Sequence, residues 1–120
     1  SRMDSPATPE SADFRLVERA LGCFDATELL IRWPARRQVQ ILCLWALWSR
    51  LERGAVFDEP ALNRQLDLWH SFGDRALLRR DMIGLGLMTR SLDGRCYQRR
   101  EQRPPPEARA LIGRLAARRG

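Results

Sequence analysis

Residues 74–97 run from an amphipathic helix straight into a two-stranded hairpin, and no other stretch of the chain limits its fold as closely. Leu78, Met82 and Leu85 recur at helical spacing with Ile83 beside them, while Arg75, Arg79 and Arg80 fall mainly off that stripe. Gly84 and Gly86 end the helix. Residues 87–90 and 95–98 then flank Ser91-Leu-Asp-Gly94. An Asp-Gly pair at such a place is a strong hairpin signal, because the turn needs positive φ angles that glycine adopts without a Cβ clash. A helix followed at once by a hairpin is the core of a winged helix. The predicted fold is mainly α with a small β-hairpin, an α+β chain whose winged-helix-like core carries one extra helix at each end.

The remaining sequence fills in that outline. Residues 1–10 hold two prolines and no apolar period, and read as a flexible tail. Thr8-Pro9 suits the start of a helix reaching about residue 24, with Phe14, Val17 and Leu21 on one stripe. Residues 29–33 form a short apolar run stopped by Pro34, which suggests a short edge strand because a residue before proline prefers extended geometry. Pro34 suits the first turn of the next helix, to about residue 52. The centre of that helix, residues 41–48, is apolar on nearly every side, so it is either wrapped by other elements or part of a subunit interface. Val56-Phe57 leads to Asp58 as a helix cap with Pro60 behind it, and Leu62, Leu66 and Trp69 mark the buried face that follows. After a basic, proline-rich stretch, a last helix over 107–119 presents Ala108, Leu111, Ile112 and Leu115. The expected organisation is a tail over 1–10, a winged-helix-like domain over 11–100, and a linker with a helix over 101–120 that packs on its own domain or swaps onto a partner.

At 120 residues and 44% hydrophobic content the chain can bury one modest core. No run approaches the roughly 18–20 apolar residues of a membrane span, and the polar start lacks a signal-peptide pattern, so a cytoplasmic place is expected. Cys23, Cys43 and Cys96 are odd in number and widely spaced, which fits buried free thiols better than a disulfide framework. No CxxC or HxxxH pair accompanies them, so no zinc or other cofactor is expected.

Charge is the functional signal. The net charge is +6, and all 21 basic side chains are arginine. Residues 1–60 carry 8 Arg against 9 acidic residues, whereas residues 61–120 carry 13 Arg against 6. Codon bias explains arginine over lysine, but it does not place the surplus in one half. A basic half is the footprint of a phosphate-binding surface. On a winged helix, Arg75, Arg79 and Arg80 would lie on the recognition helix, with Arg95, Arg99 and Arg100 on or beside the wing. The competing reading is that Arg79 or Arg80 makes a structural ion pair, for example to Asp58 or Glu59, and that Asp74 and Asp81 temper the helix charge.

Four tryptophans are many for this length. Trp45 and Trp48 suit core positions, or the interface of a homodimer. His70 stands in a turn without a nucleophile at catalytic spacing, so the chain does not read as an enzyme.

Residues 29–99 resemble the bacterial DUF2087 family. The resemblance rests on Trp33-Pro34 before Ala35-Arg-Arg37, the long apolar helix, Val56-Phe57 with Leu62-Asn63, and above all residues 78–90 with Asp93-Gly94 and Tyr97. Phe57-Asp58-Glu59 stands where the family often has Tyr-Thr-Glu. The resemblance implies a winged-helix-like fold, in a family some of whose members occur in proteins described as transcriptional regulators. The expected function is double-stranded DNA binding as a transcriptional regulator or an accessory to one. The alternative is an interaction or oligomerisation module that uses the tryptophan-rich helix.

Overall fold

The computed structural model describes residues 12–119. Helix α1 (Phe14–Leu21) is capped by Asp13, whose carboxylate accepts from the Arg15 N–H. The start expected at Thr8-Pro9 lies outside the described residues. The helix ends at Leu21 rather than near residue 24, because Gly22 closes it with its N–H on the Glu18 carbonyl at 3.0 Å. Its buried face is Val17, Ala20 and Leu21, whereas Phe14 is exposed.

The apolar run after α1 is not a strand. Only Leu30 pairs, bridging Phe24 on one side and His70 on the other. The next N–H, that of Ile31, turns away to the Cys23 carbonyl at 2.9 Å. Successive backbone groups therefore meet different partners, and no ladder propagates.

Helix α2 (Arg37–Arg50) starts after Pro34 rather than around it, and buries Val39 and every residue from 42 to 48. It is the wrapped central helix that its composition demands. Beyond it comes a strand that the local pattern does not announce, β1 (Val56–Asp58). Asp58 then caps α3 (Glu59–Trp69), its carboxylate accepting from the Ala61 N–H at 2.9 Å, and Leu62, Leu66 and Trp69 point inward. The turn to α4 (Arg75–Gly84) is held by buried His70, which bonds the Leu66 carbonyl through Nδ1 at 2.6 Å and accepts the Asp74 N–H at Nε2 at 2.9 Å. Those two partners place the ring proton on Nδ1.

Gly86, at φ +77°, turns the chain from α4 into β2 (Met88–Arg90), which pairs with β3 (Cys96–Arg99). The sheet has three antiparallel strands in the order β1-β3-β2, with Phe57 opposite Tyr97. Helix, strand, helix, helix and hairpin with that strand order is the arrangement of a winged helix. Tyr97 faces inward while Cys96 faces out, so Cys96 is exposed and only Cys23 and Cys43 are the buried thiols expected.

Helix α5 (Pro106–Arg119) lies across α1 and α2 and buries Ala108, Leu111 and Leu115. Glu107 accepts the Asp13 N–H at 3.0 Å, Arg114 pairs with Glu18 at 2.8 Å, and Arg119 pairs with buried Glu28 at 2.7 Å. The boundary expected after residue 100 therefore cuts through a shared core, and α5 packs on its own chain. Among the described residues no helix is long and apolar enough to cross a membrane, and no cluster of His, Cys, Asp and Glu could hold a metal ion.

Candidate nucleic-acid interface

Helix α4 places its arginines in three different environments. Leu78 and Met82 fix its rotation by turning into the core. Arg79, one position on from Leu78, is carried to the seam with α3, where its side chain is only 15% exposed. There Nη1 donates to Asn63 Oδ1 at 2.6 Å, and Nη2 lies 4.0 Å from a Glu59 carboxylate oxygen. This is the structural pairing weighed above, and it takes Arg79 off the outer face. Arg75 is exposed and pairs with Asp67 at 2.7 Å. An exposed pair of that kind is weak, so phosphate can compete for the guanidinium. Arg80 is exposed, and its side chain makes no hydrogen bond or ion pair among the described residues.

Arg80 borders a shallow groove of about 460 Å³ between the start of α2 and α4, with Trp33, Arg37, Gln40, Leu77 and Asp81. The acid in that groove is neutralised. Arg37 grips Asp81 with both terminal nitrogens at 2.6 Å, a bidentate pair that ties α2 to α4. The Asp81 carboxylate beside it holds the Arg37 guanidinium above its ordinary range. Asp81 therefore repels an incoming phosphate less than its sequence position suggests. The Arg37 contribution was not legible in sequence, since its partner lies 44 positions away.

The wing divides its charge in the same way. Gly94, at φ +74°, closes the tip, and Asp93 accepts from Ser91 Oγ at 2.5 Å and from the Arg95 N–H at 3.0 Å. These bonds hold the Asp93 carboxyl below its usual range, the Ser91 hydroxyl contributing most. The Arg95 side chain is exposed and unpaired among the described residues. Leu92 stands fully exposed at the tip. Arg90, which sequence reasoning left out of the site, folds over the Tyr97 ring at 5.7 Å and donates to the Gly94 carbonyl. Arg100 is exposed just beyond β3, and its carbonyl accepts from the Trp48 indole at 3.0 Å.

Arg99 stands on wing strand β3, but its side chain does not lie on the wing's exposed surface. Its side chain is 9% exposed and reaches the end of α2. Nη1 donates to the carbonyls of Trp48, Ser49 and Leu51, and the guanidinium lies 3.7 Å from the Trp48 ring centre. A side chain so placed closes a helix terminus and is buried away from phosphate. Trp45 and Trp48 meet edge to face at 5.2 Å and are 7% and 4% exposed. They belong to the core, so the interface suggested for them has no free surface to use.

Among the described residues Arg80 on α4 and Arg95 on the wing thus remain as unpaired cations, with Arg75 exposed on α4 and Arg100 exposed just beyond β3. No curated protein and no solved structure matches the chain. A family model does, over residues 29–99, which are the elements from the Leu30 bridge through β3. The chain belongs to that family, DUF2087, described as an uncharacterized protein conserved in bacteria.

Proposed function

We propose that this chain binds double-stranded DNA through the outer face of α4 and the wing, as a cytoplasmic bacterial transcriptional regulator or an accessory to one. The observation that carries the reading is the sorting of arginines within one winged-helix frame. Arg79 and Arg99 are committed to helix seams and ends, while Arg80 and Arg95 stay exposed on the two elements that such a frame presents to a duplex. Arg80 suits a major-groove base edge or phosphate, and Arg95 and Arg100 suit backbone phosphates. The exposed face of α4 has no amide or hydroxyl side chain, so backbone contacts dominate and sequence discrimination is shallow. The reading includes no catalytic step.

The test is fluorescence anisotropy of a labelled duplex titrated with protein from low to high salt. Binding at micromolar concentration should weaken steeply as salt rises, because each neutralised phosphate releases counterions. Replacing Arg80 and Arg95 together by Ala removes two contacts and should flatten the slope of log K against log salt by about 1.8. Salt-independent binding, or none at micromolar protein, overturns the proposal.

A further inference from the structure

We propose that Cys23 is a modification site for hydroperoxide oxidants, with Cys43 as the thiol that resolves the oxidised sulfur to an intramolecular disulfide. Three features of the fold support this, and none involves the DNA-facing surface. First, Cys23 lines an open cleft of about 640 Å³ between the end of α1 and the start of α2. A small oxidant can therefore reach a side chain that is otherwise 3% exposed. Second, the cleft is basic, bordered by Arg19, Arg32 and Arg36. Arg32 is anchored beside the thiol by donating to the Gly22 carbonyl at 2.7 Å. The acid in the cleft, Glu18, is paired with Arg114. Third, Val39 lines the same cleft, and Cys43 is one helical turn further along that face of α2, buried behind it.

The two thiols differ in the way the chemistry requires. The Cys43 thiol, which faces the Cys23 sulfur, and the Arg32 guanidinium together hold Cys23 down at about 6, although burial works against them. Cys43 is pushed well above the ordinary thiol range, first by the Cys23 sulfur and then by burial. At neutral pH, Cys23 is the thiolate nucleophile and Cys43 stays protonated. The sulfur also has a local partner, the Arg19 carbonyl at 3.4 Å, to which the protonated form donates.

With hydrogen peroxide as the oxidant, the Cys23 thiolate attacks one peroxide oxygen. An S–O bond forms, the O–O bond breaks, and the departing hydroxide takes a proton from solvent to leave as water. The Cys43 sulfur then attacks the sulfenic sulfur. The S–S bond forms, the S–O bond breaks, and hydroxide leaves with the Cys43 proton as a second water. Two thiols are oxidised by two electrons in all, and one peroxide is reduced to two waters. Oxidation of Cys23 also removes the thiol-to-thiolate hydrogen bond, the first of the causes that keep Cys43 protonated.

The experiment treats the reduced, full-length chain with hydrogen peroxide, blocks remaining thiols with iodoacetamide, and maps non-reduced peptides by mass spectrometry. Cys96, exposed and unpaired, is the internal reference. A Cys23–Cys43 linked peptide lighter by two hydrogens is expected, with Cys23 consumed about tenfold faster than Cys96. In Cys43→Ser the reaction should stop at Cys23 sulfenic acid, trapped as a dimedone adduct. Oxidation of Cys96 with Cys23 left intact in the wild type overturns the proposal, whether or not the variant folds. A folded Cys43→Ser chain that gives no adduct at Cys23 overturns it equally.

Discussion

Arg99 stacks its guanidinium on Trp48 at 3.7 Å while donating to the Trp48 carbonyl itself, so one residue of the sheet both covers the side chain and closes the backbone at the end of α2. The last carbonyls of a helix lack intrahelical partners and carry its negative dipole end. A buried cation on the carbonyls of Trp48, Ser49 and the capping residue Leu51 answers both needs, and Glu101, 2.9 Å from Nε, balances its charge. Replacing Arg99 by Ala should destabilise the fold by about 3 kcal/mol, from the lost charged hydrogen bonds and the uncovered indole. Arg99→Lys keeps the charge but not the planar fork, and should recover about half of that loss. Urea unfolding followed by tryptophan fluorescence measures both. Equal stability of wild type and Arg99→Ala would contradict the capping role.

Neighbouring arginines on α4 should separate by assay. Arg79→Ala removes the donor to Asn63 at the α3–α4 seam, and should cost about 1–2 kcal/mol. Arg80→Ala removes an exposed, unpaired side chain and should change stability by less than about 0.5 kcal/mol. Chemical denaturation of the two variants, side by side with their DNA titrations, gives the contrast. If Arg80→Ala is the more destabilised of the two, the rotation assigned to α4 is at fault.

The parts of this fold that were legible in sequence are those whose cause is local. The Leu78–Met82 stripe, the Gly86 stop and the Asp93-Gly94 turn each act within a few residues, and the helix and hairpin stand where they place them. Strand β1 escaped notice because three residues carry no period, and its partner β3 lies about 40 positions on. Arg99 was misplaced for the same reason. Chain position makes it a wing cation, while the helix end that captures it is 48 to 51 residues away. Arg79 was only half legible: its spacing from Leu78 allowed an inward role, but Asn63, the partner that fixes it, comes from another helix.

Helix α5 lies beyond the family-matched residues yet contributes to the central core. Leu111 is fully buried between α5 and its neighbours. Truncating it to Ala should leave a cavity and cost about 3 kcal/mol, a penalty that a helix merely tethered to the domain would not show. Thermal unfolding of Leu111→Ala beside Ile112→Ala, whose side chain is only partly buried, separates core from surface. A Leu111→Ala chain as stable as the wild type would mean that α5 is detached in solution.

Acid should loosen the turn after α1 before it reaches the core. Asp25 accepts from Thr27 Oγ1 at 2.7 Å, from the Thr27 N–H at 2.8 Å and from the Leu29 N–H at 3.0 Å. The Thr27 hydroxyl, then the Leu29 N–H, hold its carboxyl below the usual carboxylate range, against a small burial effect. With the folded value depressed, the stabilisation is complete above the unfolded value of about 4 and is lost as pH falls through the folded one. The melting temperature should therefore drop below about pH 4. Asp25→Asn keeps an acceptor oxygen but carries no titrating charge, so its melting curve should fall less steeply across that window. Asp93, depressed in the same direction within the wing, adds to the wild-type slope and is unchanged in the variant. Differential scanning calorimetry from pH 7 to pH 3 measures the two slopes, and parallel curves would show that the Asp25 turn does not couple to global stability.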